Sequence, residues 1–173
     1  MTNVEIRKIT INDTTAYFKM TNINDDPDLN YVHGLVSSSN SFEKKKKIVE
    51  YLSTKLDFIH DFGFLICRNQ IPVGFILATQ DRVFTECLNV AAFCKKDCRS
   101  LGIMTEAMFL FINYLKTNTS CHHKSLILDI KSDNQASIKS AKKIGAYPIC
   151  TVQYMEKTPS NNKEPTYRYI KKI

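Results

Sequence analysis

The chain has 173 residues, a length that suits one domain and allows a core to form without disulfides or a structural metal. Hydrophobic residues make up 43% of the sequence and charged residues 24%, which is ordinary for a globular protein and excludes an extended disordered chain. The formal net charge of +7 favours an anionic ligand or surface. No Arg-rich tract with interleaved aromatic residues is present, so nucleic-acid binding is not the expected function.

Membrane and export signals are missing from the sequence. No run of about 18 apolar residues exists, so no membrane span is expected. The first residues lack the basic and then apolar pattern of a secretory signal, so we expect a cytoplasmic protein with reduced cysteines. Neither Cys94-x-x-x-Cys98 nor Cys121-His122-His123 has the spacing of a zinc site, so no metal is expected.

Hydrophobic periodicity predicts strands and helices that alternate along the chain. This alternation predicts a single α/β domain over residues 1–173, with a central sheet covered by helices. The run Lys44-Lys45-Lys46-Lys47 is expected on the solvated face of a helix, and Gly145 is expected to close the last helix. The predicted elements are a strand over 4–9, helices over 12–20 and 42–59, a hairpin of strands over 63–68 and 73–79 with its turn over 69–72, a strand over 87–94, a helix over 101–115, a strand over 125–130, a helix over 135–144, and strands over 147–155 and 167–170.

The polar turn between strand 87–94 and helix 101–115 has the features of an anion-binding site. The first turn of a helix has unpaired N–H groups and a positive dipole end, so this turn can hold phosphate oxygens. Gly102 would let a phosphate approach the backbone, because glycine has no Cβ. Many strand–turn–helix units bind nothing, so this pattern alone leaves a phosphate site and a plain connection both open.

The same turn resembles a motif of the GNAT acetyltransferase superfamily. Arg99-x-x-Gly102-x-Met104 is similar to the Arg/Gln-x-x-Gly-x-Gly/Ala pyrophosphate loop of that superfamily, with Met104 in place of the second small residue. Backbone amides can still donate there, since they do not depend on the side chain.

A second segment resembles the RimJ/RimL branch of ribosomal-protein N-acetyltransferases. Asp133-Asn134-x-x-Ser137 and the following Gly145-Ala146 are similar to the Asp-Asn-x-x-Ser-x-x-x-Ala-x-x-x-Gly-Phe segment of that branch, with Ala146 in place of Phe. The two motifs lie in register with the predicted elements. The resemblance implies a mixed, mostly antiparallel sheet of six to seven strands flanked by helices.

The resemblance also implies where acetyl-CoA binds. Asn134 would hold the pantetheine arm or cap the helix that follows it. Ser137 would hydrogen-bond the coenzyme sulfur or serve only as a polar residue of the helix N-terminus. Backbone groups of Ala92, Phe93 and Cys94 would contact pantetheine and the developing oxyanion. The loop residues that would bind the pyrophosphate are Arg99, Ser100, Leu101, Gly102, Ile103, Met104 and Thr105.

Two carboxylates match positions at which members of the superfamily place a general base. Glu86 lies thirteen residues before Arg99, as in the histone-type members, and Asp129 lies five residues before Asn134, as in the ribosomal alanine N-acetyltransferases. Glu86 is also explained as a surface carboxylate at a strand end, and Asp129 as an outward-facing strand residue. A water chain could replace either one. The tyrosine acid of many members is replaced here by Ala141.

The resemblance therefore implies an N-acetyltransferase that moves an acetyl group from acetyl-CoA to a primary amine. The acceptor would be a protein N-terminal α-amine or a small-molecule amine, and the polar segments 22–40 and 153–166 would select it. The departures at Met104, Ala141 and Ala146 leave open a second interpretation, a non-catalytic acyl-CoA-binding regulator. A monomer and a homodimer both remain compatible with the sequence.

Overall fold

Six parts of the chain are described by a computed structural model: residues 3–21, 41–54, 61–81, 83–118, 122–152 and 165–173. The ends predicted for helix 42–59 and strand 147–155 lie outside these residues, as does Cys121. The two polar segments expected to select the acceptor lie outside them as well, apart from residues 165 and 166.

Within these residues the chain forms strands and helices in the order that the sequence predicts. Most boundaries differ from the predicted ones by one or two residues, as expected where helices and strands fray. The elements are β1 (Val4–Lys8), α1 (Thr14–Met20), α2 (Phe42–Thr54), β2 (Asp61–Arg68), β3 (Ile71–Gln80), β4 (Cys87–Cys94), α3 (Ile103–Thr117), β5 (Ser125–Lys131), α4 (Gln135–Lys143), β6 (Tyr147–Val152) and β7 (Thr166–Lys172).

The hairpin of β2 and β3 is tighter than predicted. Its turn consists of Asn69 and Gln70, whose φ angles are 50° and 67°. Two consecutive positive φ angles are characteristic of a type I′ turn, whose twist matches that of the paired strands. β3 therefore begins at Ile71 and includes Pro72, which lies beside a register shift in the ladder, where proline is tolerated. The sequence-based turn over 69–72 was two residues too long.

Helix α3 begins two residues later than predicted. Gly102 precedes it with a φ of 78°, in the left-handed region that glycine adopts without strain. Leu101 is consequently a loop residue with 57% of its surface exposed, and does not lie on the apolar face of the helix. The helical spacing of Leu101 from Met104 and Met108 made it fit the predicted pattern although it lies outside the helix.

Helix α4 ends as its sequence predicts. Gly145 follows the helix with a φ of 77°. Its N–H donates to the carbonyl of Lys142 at 3.0 Å, and the N–H of Ala146 donates to the carbonyl of Ala141 at 2.9 Å. These two bonds form a Schellman motif, in which glycine takes the left-handed position that ends the helix.

The described strands form one seven-stranded sheet with the order β1-β2-β3-β4-β5-β7-β6. The neighbouring strands are antiparallel except for β4 and β5, which run parallel. The predicted mixed, mostly antiparallel sheet with flanking helices is therefore confirmed.

Hydrophobic residues lie on both faces of the sheet and form two clusters. One cluster lies between the sheet and helices α3 and α4 and includes Phe64, Ile76 and Phe111. The other lies between the sheet and helices α1 and α2 and includes Tyr17 and Phe75. Successive strand residues therefore contribute to opposite clusters, as the period-two geometry of a strand requires.

One residue of the lysine run is buried, although the run was expected on a solvated face. Lys45 is 1% exposed, and its ammonium donates to the carbonyl of Thr21, the residue that caps the C-terminus of α1. The ammonium also lies 5.1 Å from the centre of the Phe18 ring. Burial lowers the pKa of Lys45, and its partners are the carbonyl end of a helix dipole and an aromatic face, both suited to a cation.

The first helical turn is tied to β1 by an ion pair. Both carboxylate oxygens of Asp13 accept hydrogen bonds from Arg7, at 2.7 and 2.8 Å. Asp13 also accepts from the backbone N–H and the hydroxyl of Thr10, each at 2.8 Å, in a capping box. The hydrogen bonds from Arg7, with those from Thr10, outweigh burial and lower the pKa of Asp13 to about 2.

We expect this carboxylate to make stability depend on acid. Because the folded-state pKa lies below the ordinary 3.8, the stabilisation is complete above about pH 5 and is lost as the pH falls through 3.8 toward 2. Arg7 is 44% exposed, so solvent screening limits the contribution to about 1–2 kcal/mol. Urea unfolding of the native chain and Asp13→Asn at pH 7 and pH 3 checks this. The variant should lose stability at pH 7 and show a smaller change between the two pH values. An equal change in both proteins would contradict the assignment.

Candidate functional site

The sheet opens between β4 and β5. These strands pair over three residues, from Cys87 opposite Ser125 to Asn89 opposite Ile127. Beyond these positions β4 remains paired with β3, and β5 with β7. The edges of residues 90–94 and 128–131 therefore face one another without pairing, across a V-shaped gap. Alternate peptide groups along each edge point into this gap and can bind a ligand.

Two helices begin at the open end of the gap. α3 follows β4 and α4 follows β5, so both N-termini lie beyond the carboxyl ends of the separated strands. The hydroxyl of Thr105, in the first turn of α3, lies 3.3 Å from the hydroxyl of Ser140 in α4 and links the two helices. Unpaired N–H groups and two positive dipole ends suit an anionic group at this end.

The loop between β4 and α3 leaves its amides accessible. Its first half is a 3₁₀ turn over Lys96–Cys98, followed by Ser100 with a φ of 63° and Gly102 with a φ of 78°. The N–H of Glu106 donates to the carbonyl of Gly102 as the first α-helical bond, so the amides of residues 103–105 precede the helical ladder. A Cβ built on Gly102 would meet no atom within 4 Å, so the backbone here faces open space. This arrangement fits a phosphate group.

Arg99 fastens the loop to the end of β4. Its Nε donates to the carbonyl of Cys94 at 3.0 Å, and its guanidinium lies 5.5 Å from the centre of the Phe93 ring. Its charge is thereby held at the carboxyl end of β4, where the loop begins. Met104, at the position where the superfamily loop has a small residue, packs partly against the core under α3. The side chain of Met104 is therefore half-buried against this core.

The residues predicted to contact pantetheine form the C-terminal part of β4. Ala92 and Cys94 contribute to the cluster under α3, and Phe93 contributes to the opposite cluster, where it stacks on Phe75 with the ring centres 5.3 Å apart. Burial raises the pKa of Cys94 to about 11, so the thiol is neutral at pH 7. Its Sγ lies 3.6 Å from the carbonyl oxygen of Cys98. A neutral, buried thiol is a poor nucleophile. Cys94 can therefore contact a ligand through its backbone groups only.

Asn134 caps α4. Its Oδ1 accepts a hydrogen bond from the N–H of Ser137 at 3.1 Å, which confirms the capping role considered from the sequence. Ser137 is half-buried in the first turn of α4, beside the open end of the gap. The side-chain amide nitrogen of Asn134 is not used by this cap. Both residues therefore lie at the N-terminus of α4, beyond the carboxyl end of β5.

The two carboxylates predicted as alternatives for a base are not brought together. Glu86 precedes β4 at the closed end of the V, its side chain is 63% exposed, and it pairs with Lys124 at 2.5 Å. This position favours the surface interpretation of Glu86. Asp129 lies two residues beyond the last pair of β4 and β5, and its side chain is only 14% exposed. Both of its oxygens accept from Arg168, so Asp129 is not a plain outward-facing residue.

A polar cluster around Asp129 was missed by sequence reasoning. Asp81 accepts from Asn89 at 2.7 Å and from the backbone N–H groups of Val83 and Phe84 at 2.8 and 2.7 Å. Burial pushes the pKa of Asp81 upward, but these hydrogen bonds and the charge of Arg168 outweigh it and lower the pKa overall. The members of this polar cluster, Asp81, Asn89, Asp129 and Arg168, come from four separate parts of the chain, so no local motif reveals the cluster.

The described residues contain no group of three or more His, Cys, Asp or Glu side chains that could hold a metal ion. None of the described helices combines the length and the hydropathy needed to cross a membrane.

A mixed sheet that opens beside a glycine-containing helix N-terminus is the architecture expected of an acetyl-CoA-dependent acyltransferase. The chain belongs to the GNAT acetyltransferase family, because the model of the acetyltransferase (GNAT) domain matches residues 3–147. The chain is accordingly an acyltransferase, with acetyl-CoA as its co-substrate. No curated protein has a matching sequence.

Solved structures share the fold at low sequence identity. RimL, an acetyltransferase of ribosomal protein L7/L12 solved with coenzyme A, has a TM-score of 0.84 and 14% identity, over 100% of this chain and 96% of RimL. The microcin C7 self-immunity acetyltransferase MccE, solved with acetyl-CoA and AMP, has a TM-score of 0.79 and 14% identity, over 98% of this chain and 92% of MccE. Mycobacterium smegmatis RimJ, solved with a CoA disulfide, has a TM-score of 0.76 and 12% identity, over 98% of this chain and 81% of RimJ. The predicted superfamily and RimJ/RimL-like fold are confirmed.

Proposed function

We propose that the protein transfers the acetyl group of acetyl-CoA to a primary amine, and that the gap between β4 and β5 is the site. The observation that carries the proposal is the continuity of the gap with the open amides around Gly102. From Cys94 back to Asn89, where the strands meet, is about 17 Å of extended chain, a distance suited to an extended pantetheine arm.

The proposed roles follow from position. The amides of residues 103–105 and the charge of Arg99 would bind the pyrophosphate. Backbone groups of Ala92, Phe93 and Cys94 would hold pantetheine and the thioester carbonyl, as an added strand would be held. The Asn134 side chain would contact pantetheine, and the Ser137 hydroxyl would donate to the departing sulfur. The roles of Ser100, Leu101, Ile103, Met104 and Thr105 are confined to their backbone groups and to holding the loop.

Acetyl-CoA supplies the activated acyl carbon, and the chain supplies position. In the net reaction the amine nitrogen forms a bond to the acyl carbon, the carbon–sulfur bond breaks, the amine loses one proton and the thiolate gains one. The thiol leaving group has an ordinary pKa near 8.5, so no strong acid is needed at neutral pH, which agrees with the buried Ala141 at the position of the superfamily tyrosine.

The acceptor is proposed only as a primary amine. The fold neighbours include an enzyme named for a ribosomal-protein N-terminus and one named for aminoglycoside acetylation, so the shared fold serves both protein and small-molecule acceptors. The described cysteines 67, 87, 94, 98 and 150 are free thiols, which supports the proposal of a reducing, cytoplasmic location.

The deciding experiment presents acetyl-CoA with a panel of amines, including peptides with free N-termini, polyamines and aminoglycosides. Thiol release and the mass of the acetylated product are measured together. We expect amine-dependent thiol release with a product 1:1 with the thiol. Tight acetyl-CoA binding without any transfer would instead favour the non-catalytic regulator, and absence of binding would contradict both.

A further inference from the structure

We propose that Arg168 is a positioning residue, which holds the Asp129 carboxylate where it accepts a hydrogen bond from the acceptor amine. The inference rests on the proposed function and assigns the acceptor side of the same site. It depends on where Asp129 lies, how it is held and which face of the sheet it occupies.

Asp129 lies at the narrow end of the V, on the face away from α3. The flanking β5 residues Leu128 and Ile130 pack against the cluster under α3, so the intervening Asp129 points to the other face. The β4 residues Val90 and Ala92, across the gap, pack against the same cluster. We therefore place the acceptor on the face that carries Asp129.

The carboxylate is fixed in orientation. Arg168 stands opposite Asp129 in the antiparallel ladder of β5 and β7. Its Nε donates to one oxygen at 2.8 Å and its Nη2 to the other at 2.7 Å. Such a two-point contact sets the plane of the carboxylate as well as its position. A carboxylate has about four lone-pair sites, so the two bonds from Arg168 do not use its whole capacity to accept hydrogen bonds.

A second carboxylate lies within the electrostatic reach of Arg168. The charge of Arg168 helps to lower the pKa of Asp81, which accepts hydrogen bonds from Asn89 and from the turn after β3. The cluster thus joins β3, β4, β5 and β7 around the point where the sheet opens. Its described members include two carboxylates and one guanidinium, whose charges sum to −1, and this balance suits an amine or ammonium group.

The inference is tested by separating the acceptor KM from kcat and from the acetyl-CoA Kd. We expect Arg168→Gln to raise the acceptor KM roughly tenfold or more, with little change in the acetyl-CoA Kd. Arg168→Lys should restore part of the loss, because it keeps the charge but only one contact point. Asp129→Asn should resemble Arg168→Gln, and the double variant should be little worse than either single one.

Lys124→Gln is the matched control, since it breaks an exposed ion pair at the closed end of the V and should leave the acceptor KM unchanged. If Arg168→Gln does not fold, Arg168→Lys and Asp129→Asn provide the same comparison. An unchanged acceptor KM in these variants, with a transfer-competent native chain, would overturn this inference alone. A native chain that transfers acetyl to no amine would overturn the proposed function and the inference with it.

Discussion

Replacing Gly102 by aspartate is expected to abolish measurable acetyl-CoA binding. The new carboxylate would stand on the loop whose open amides and helix dipole we assign to the pyrophosphate, and it would repel that anion. Gly102 also has a φ of 78°, so any side chain there strains the loop. We expect a loss of roughly 100-fold or more in affinity, measured by calorimetric titration with acetyl-CoA.

Gly145→Asp provides the control for this variant. Gly145 has nearly the same φ, 77°, but follows α4 at the end away from the gap. The control therefore has the same added charge and the same backbone strain without a nearby phosphate site. We expect it to lose some stability and to retain acetyl-CoA binding. Equal losses of affinity in the two variants would remove the assignment of the pyrophosphate to the loop.

The largest expected effect on stability comes from Gly74→Ala. Gly74 lies opposite Cys94 in the ladder of β3 and β4, and a Cβ at this position would collide with the backbone carbonyl oxygen of Phe93. A backbone atom within a sheet cannot rotate away as a side chain can. We expect the free energy of unfolding to fall by about 2–4 kcal/mol, measured by urea denaturation.

Gly63→Ala tests whether this cost is specific. A Cβ on Gly63 would lie 3.2 Å from the Cβ of Leu52, a side-chain contact with α2 that a small shift can relieve. We expect a loss of about 1 kcal/mol or less in the same assay. Similar losses in both variants would mean that the approach of β3 to β4 is not the cause.

Gly74→Ala should also weaken acetyl-CoA binding, because it displaces the strand that borders the gap.

The order of the elements and the position of the glycine-containing turn between β4 and α3 could be predicted because they depend on local signals. Periodicity set the strands and helices, and Gly145 marked the end of α4 through a conformation that glycine favours. At the start of α3 the hydrophobic spacing and the glycine conformation disagreed, and the prediction that followed the spacing was wrong. Leu101 has the right spacing for the helix, but the positive φ of Gly102 excludes it from the helix.

The rest could not be predicted because it depends on pairing between distant residues. Arg168 lies 39 residues after Asp129, and only the position of β7 beside β5 brings them together. The burial of Lys45 depends on the end of another helix, which no property of the lysine run reveals. The divergence of β4 from β5 is likewise a feature of register, and a sequence specifies register through contacts on both strands.

Among the residues that the structure describes, the three residue pairs between β4 and β5 are the only backbone ladder that joins the half of the sheet formed by β1 to β4 to the half formed by β5, β7 and β6. A ligand that bonds to both facing edges would complete this seam and act as a structural part of the folded enzyme. The folded state and the occupied state are then thermodynamically linked, and at a ligand concentration 100 times its Kd the linkage is worth about 2.7 kcal/mol. The resistance of the protein to unfolding and proteolysis would therefore follow the supply of its acyl donor.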